Sequence, residues 1–304
     1  MLALFVAACG AETAQTPDPA PQPEALSLLD EPLYPLETDS TTEARQLAQL
    51  AEAREAWEAS PDDVQSWVWL GRRTAYLTRY REAIDIYTRG LREHPDSPHL
   101  LRHRGHRYLS VRGFDAAIAD LSRAAELTSG QPDEIEPDGQ PNDAGIPTST
   151  LQTNIWYHLA LAHYFKGNFD EAATAMQQCF ELAANNDMRV AAADWLFMSH
   201  SRLGNHDAAQ EAVAFVQPEM EILENHSYHR RILMYRGLMN AEELLGDGER
   251  LDMATQGYGV GNWYLVQGDT TRATETFRRV LATGYWPAFG YIAAEADLAR
   301  LGES

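Results

Sequence analysis

The chain has 304 residues, 44% hydrophobic and 23% charged, enough apolar content to bury a sizeable core and too much for global disorder. Its 45 acidic residues against 24 basic ones leave a net charge of −21, which argues against a nucleic-acid binder because nothing offsets repulsion from a phosphate backbone. Lys166 is the only lysine and is followed by Gly167 and Asn168, so a Gly-Lys-Ser/Thr phosphate loop is excluded, as is Schiff-base chemistry elsewhere.

Leu2 to Ala8 is apolar and runs into Ala7-Ala8-Cys9-Gly10. Small residues before a cysteine, after an apolar stretch, resemble the lipobox of bacterial lipoproteins. The resemblance implies diacylation of the Cys9 thiol, cleavage before it, and acylation of the new amino group. Gly10 in place of Asp implies the outer membrane. The run departs from that pattern in its short length and in lacking a basic stretch ahead of it. Residues 1–8 are thus expected to form a signal segment and 9–42 a tether, since Pro17, Pro19, Pro21, Pro23, Pro32 and Pro35 stiffen a stretch poor in apolar area. No other stretch approaches the roughly 18 apolar residues of a transmembrane helix.

The body repeats every 34 residues. Pro61 and Pro95, Trp67 and Leu101, Gly71 and Gly105, Tyr80 and Phe114, and Ala83 and Ala117 are all pairs at that spacing. Trp67-x-x-Leu70-Gly71, then Ala83, Tyr87 and Pro95, resemble the tetratricopeptide pattern. The resemblance implies an all-α, right-handed solenoid of helix–turn–helix units. Small residues such as Gly71 and Ala83 sit where paired helices cross, aromatics fill the seam, and Pro95 stops the second helix. A third unit begins near Thr153 with Trp156, Leu159, Ala160, Gly167, Phe169 and Ala172, and its offset from the second leaves an insertion of 21 residues. A fourth carries Leu196, Gly204 and Ala209, and a last one Gly261, Tyr264, Gly268, Ala273 and Phe277. The expected order is a capping helix with two repeats over 43–127, an acidic insertion loop over 128–150, two repeats over 151–225, a degenerate hairpin over 226–253, and the last repeat with a closing helix over 254–302. Cys179 falls in the small-residue column with Gly90 and Ala124 and reads as a core thiol. Gly257-x-Gly259-x-Gly261 reads as a loosened helix start, its spacing being wrong for a dinucleotide loop.

In tetratricopeptide arrays the first helix of each hairpin lines a concave groove that takes peptides or partner helices. By that resemblance the groove is lined by Arg72, Tyr76, His99, Arg102, His106, Asn154, Tyr157, Tyr164 and Asp194. Residues 61–127 carry +2 in a chain whose remainder carries −23, so the groove is expected to attract an acidic protein segment. His99, His103 and His106 share one helical face, but Arg102, Arg104 and Arg107 interleave with them and oppose a divalent cation. The lysine-dependent carboxylate clamp of chaperone-binding relatives is absent.

The insertion holds Asp133, Glu134, Glu136, Asp138 and Asp143. Their spacing does not match a calcium loop, and two readings stand, a solvated acidic loop or a segment that folds back to dock on the arginines. The reading reached is a non-enzymatic scaffold without cofactor or metal, lipid-anchored at Cys9 in the outer membrane, facing the periplasm and binding a protein or peptide in envelope assembly or maintenance. The alternatives are a cation-dependent factor or enzyme using the insertion, and a cytosolic adaptor whose true start differs.

Overall fold

A computed structural model describes residues 22–246 and 250–303. The signal segment 1–8 and residues 9–21 of the expected tether, Cys9 among them, lie outside them. Helix pairs follow in chain order. A leading helix, α1 (Ser40–Ala59), is capped by Asp39, whose carboxylate accepts from the amides of Thr41 and Thr42. The hairpins are α2 (Val64–Tyr76) with α3 (Tyr80–Glu93), α4 (Pro98–Ser110) with α5 (Phe114–Thr128), α6 (Leu151–Lys166) with α7 (Phe169–Leu182), and α8 (Asn186–Arg202) with α9 (His206–Val213). Next come α10 (His226–Tyr235), the one-turn α11 (Ala241–Leu244), α12 (Arg250–Val266) with α13 (Thr270–Ala282), and α14 (Phe289–Leu301). The fold is the expected all-α tetratricopeptide-type solenoid with an inserted loop. Among the described residues no helix is long and apolar enough to cross a membrane.

The small-residue column does what the spacing predicts. A Cβ on Gly71 would lie 2.2 Å from the Tyr87 ring, one on Gly105 2.7 Å from Leu121, and one on Gly261 2.5 Å from Phe277. Cys179 is fully buried, and burial pushes its thiol pKa up, as expected of a core residue. The Gly257–Gly261 run corrects an expectation. It lies within α12, where its three glycines admit Val280, Arg231 and Phe277 in turn, so it is a packing surface inside the helix.

Two further expectations are corrected. Residues 22–36 do not run as a free tether. Ala25–Leu26 (β1) pairs antiparallel with Pro32–Leu33 (β2), burying Ala25 and Leu33, and the amide of Leu36 donates to Thr78 Oγ1 at 3.0 Å. Proline counting missed the leucines that anchor this stretch. Nor does α14 simply cap an open end. The array curls until α14 packs on α6 as well as on α12 and α13. Arg300 Nη1 donates to the Phe165 carbonyl at 2.9 Å, and Trp286 Nε1 to the Tyr34 carbonyl at 2.7 Å. Trp286 thereby joins the core of the first hairpin, against Tyr80.

Candidate functional site

The inner faces of α2, α4 and α6 meet the insertion and the start of α14. Ser97 caps α4 with Pro98 in its first turn, and Thr150 caps α6 through a reciprocal bond with Thr153, fixing the rise of both helices. Between these helices the insertion leaves α5 and returns. Its neck is closed by the Leu151 amide on the Glu134 carbonyl (2.9 Å) and the Glu136 amide on the Ser149 carbonyl (3.3 Å).

From that neck, residues 134–139 lie along α2 and α4. Glu134 meets His99 Nε2 at 2.9 Å, and Glu136 meets Arg102 Nη2 at 3.0 Å with both side chains more than nine-tenths buried. Arg72 Nη1 donates to the Pro137 carbonyl at 2.7 Å and Arg73 Nη1 to the Gly139 carbonyl at 3.1 Å. Gly139 lets the loop lie close here, since a Cβ would fall 1.9 Å from Tyr76 Oη and force that side chain to shift. The far side of the loop reaches the opposite lip. Thr148 Oγ1 and Asn142 Nδ2 donate to the Glu224 carboxylate, and Asn185 Nδ2 donates to the Thr148 carbonyl. Glu224 is itself positioned by buried Asp187, which accepts from the amides of Leu223, Glu224 and Asn225.

The insertion therefore roofs the concave face. Beneath it remains a chamber of about 290 Å³, bounded by Arg72, Arg102, His106, Glu136, Asn154, Tyr157, His158, Tyr228 and Phe289 among others. Burial, reinforced by Arg102 and its neighbouring arginines, holds His103, His106 and His158 well below the usual imidazole range, so all three are neutral near pH 7. The hydrogen bonds agree. Arg102 Nη1 donates to His103 Nδ1 at 3.0 Å, and His158 Nδ1 donates to the Asn154 carbonyl at 2.5 Å. Burial pulls the Arg102 guanidinium down and Glu136 opposes that pull.

Of the sequence-predicted groove residues, Arg72, Tyr76, His99, Arg102, His106, Asn154 and Tyr157 do converge here. Tyr164 and Asp194 do not. Tyr164 is buried with its hydroxyl on Tyr258 at 2.7 Å, and Asp194 is fully buried against Arg231 at 2.9 Å. The physical reason is closure, since α12, α14 and α10 occupy the inner face that an open array would leave wet. The three histidines of α4 are held apart from any shared cation, His99 meeting Glu134 while His103 and His106 both lie on Arg102 Nη1 and His106 packs on the tilted ring of His158. The insertion acids diverge too. Asp133 accepts from the Gln152 amide at the start of α6, Asp138 accepts from Gln140, and Asp143 is exposed, so they form no common cation site. Sequence reasoning missed His158, Tyr228, Glu224 and Phe289. His158 is one turn beyond Asn154 and was within reach of helical spacing, but Phe289 and Glu224 arrive only through closure.

The model of the tetratricopeptide repeat family matches residues 153–186, from the first turn of α6 through α7 to the first residue of α8. No curated protein matches the chain. A solved tetratricopeptide repeat protein from Parabacteroides merdae ATCC 43184 is 15% identical over 86% of this chain and 94% of its own, with a TM-score of 0.51. YrrB, described as a TPR protein with an unusual peptide-binding site, is 13% identical over 76% and 91%, with a TM-score of 0.44. MamA AMB-1 is 18% identical over 57% and 88%, with a TM-score of 0.42. At such identities the likeness is one of fold, and the first of the three carries it.

Proposed function

We propose that the chain is a binding scaffold rather than an enzyme, and that its concave face takes an extended acidic segment of a protein partner. The observation that supports this most directly is the chain's own segment 134–139, whose carboxylates meet His99 and Arg102 while its carbonyls meet Arg72 and Arg73. An acidic partner strand would use the same donors. The insertion then stands as an internal competitor. Because its neck is hydrogen-bonded, residues 135–149 can be exchanged for a short Gly-Ser linker without parting α5 from α6. A peptide spanning residues 133–143 should bind that variant saturably and the intact chain at least about tenfold more weakly. Equal or undetectable binding to both forms would remove the basis for an acidic partner.

We further propose that the scaffold works at the bacterial cell envelope, held by lipid on Cys9 and facing the periplasm. The support is the Ala7-Ala8-Cys9-Gly10 sequence followed by proline-spaced residues. Each buried methylene adds about 0.8 kcal/mol to membrane binding, so dual or triple acylation anchors firmly. Cys9→Ser should move the protein from membrane to soluble fractions, and retention in the membrane would rule the anchor out.

A further inference from the structure

The chamber under the insertion is lined by polar atoms of two kinds. Its deep wall carries acceptors. Because His158 Nδ1 donates to the Asn154 carbonyl, Nε2 of that neutral ring is an acceptor, and no residue of the described chain donates to it. Asn154 gives its Nδ2 to Ser149, which leaves Oδ1 free, and both side chains are at least nine-tenths buried at the chamber. Glu136 also lines the chamber, with one oxygen on Arg102 and Oε2 sealed off from it, so its carboxylate contributes charge there and no free acceptor. Acceptors that face the chamber with no donor from the chain are open to a bound one. At the shallower side, half-buried Arg72 keeps guanidinium donors beyond those spent on Pro137 and Tyr76. The remaining wall mixes an apolar and aromatic patch of Phe289, Tyr157 and Met188 with polar Thr148, Asp138 and Glu224 toward the insertion.

We propose that the chamber is a binding site for a free α-amino acid with an apolar side chain. The ammonium lies on His158 Nε2 and Asn154 Oδ1, on the side of the chamber that carries the Glu136 charge, the carboxylate on Arg72, and the side chain on Phe289. Opposite charges on one carbon match acceptors deep and a guanidinium shallow. A plain amine would leave Arg72 unmet, and a plain carboxylate would leave the acceptors unmet. The volume of about 290 Å³ is at the small end of ligand cavities, which suits a molecule of this size. This goes beyond partner binding and requires the insertion to stay docked, so it stands or falls independently of the acidic-partner reading.

The test is calorimetric titration of the intact protein with leucine, methionine and phenylalanine, each beside its N-acetyl derivative and its amide. At least one free amino acid should saturate the site below about 1 mM, with both derivatives at least about tenfold weaker. His158→Phe keeps the ring and should weaken the amino acid and the amide alike. Arg72→Met should weaken the amino acid at least about tenfold more than the amide, since the lost Pro137 contact bears on both alike. No saturable binding by any of the three, an N-acetyl form that binds as tightly as its parent, or affinity untouched by both substitutions would overturn the proposal.

Discussion

Arg112 and Glu295, 183 positions apart, form a buried two-pronged ion pair, with Nη2 to Oε1 at 2.7 Å and Nε to Oε2 at 2.9 Å. Arg112 holds it from a left-handed backbone, φ 64°, at a turn where later repeats carry Gly167, Gly204 and Gly268. Thr78 occupies the same turn in the first repeat with φ 56°, and its hydroxyl accepts from Leu36. At both turns a side chain stands where glycine relaxes the backbone, and both side chains reach a segment distant in sequence.

Arg112→Gly should relieve about 1 kcal/mol of backbone strain and leave Glu295 buried without its partner, at a cost of about 3–5 kcal/mol. The net expectation is a loss of about 2–4 kcal/mol in urea unfolding. Replacing Arg112 by Met and Glu295 by Leu together should recover most of it, because the pair is costly mainly when broken. Stability of Arg112→Gly at or above wild type would show that the pair contributes less than the strain.

The insertion should resist proteases at both about 0.1 M and about 0.5 M salt, since screening reaches exposed charges and not the buried Arg102–Glu136 pair. Gly139→Ala should expose it to cleavage, the new methyl colliding with Tyr76. Arg102→Glu should both undock the loop and destabilise the array, unlike a substitution on an open, solvated groove. A loop cut equally in wild type and Gly139→Ala would contradict tight docking.

Acid should weaken the fold through the chamber. His103, His106 and His158 have folded pKa values below 6.5, so under mild acid the unfolded chain binds protons the folded one does not. Stability from these groups is therefore present above about pH 6.5 and lost as pH falls below it. Urea midpoints from pH 8 to 5 should show that decline, and His106→Phe, which keeps the stacked ring, should make it shallower. Identical slopes in the two proteins would remove His106 from the effect.

The repeats were legible because their columns are local. Gly71 must admit Tyr87 and Gly105 must admit Leu121 in any array of this kind, so spacing alone places them. The convergence of Arg72, Arg102 and Asn154 followed from the same helical count. What the sequence withheld depends on curvature, the accumulated small rotation from one hairpin to the next. That rotation brings Phe289 onto His106 and His158, buries Tyr164 under Tyr258, and turns Asp194 from a groove residue into the partner of Arg231. No column of a single repeat encodes it.

The bond from Trp286 to the Tyr34 carbonyl spans 252 positions. An open solenoid can fold outward from any nucleus because each unit needs only its neighbours, whereas contacts of such separation form late and slow the reaction. During synthesis the first hairpin emerges long before Trp286 exists. Tyr80 and the apolar surface around it must wait for nearly the whole chain to be translated. A nascent array of this design is most exposed to misassociation at its amino-terminal end, and the last helices made are the ones that end that exposure.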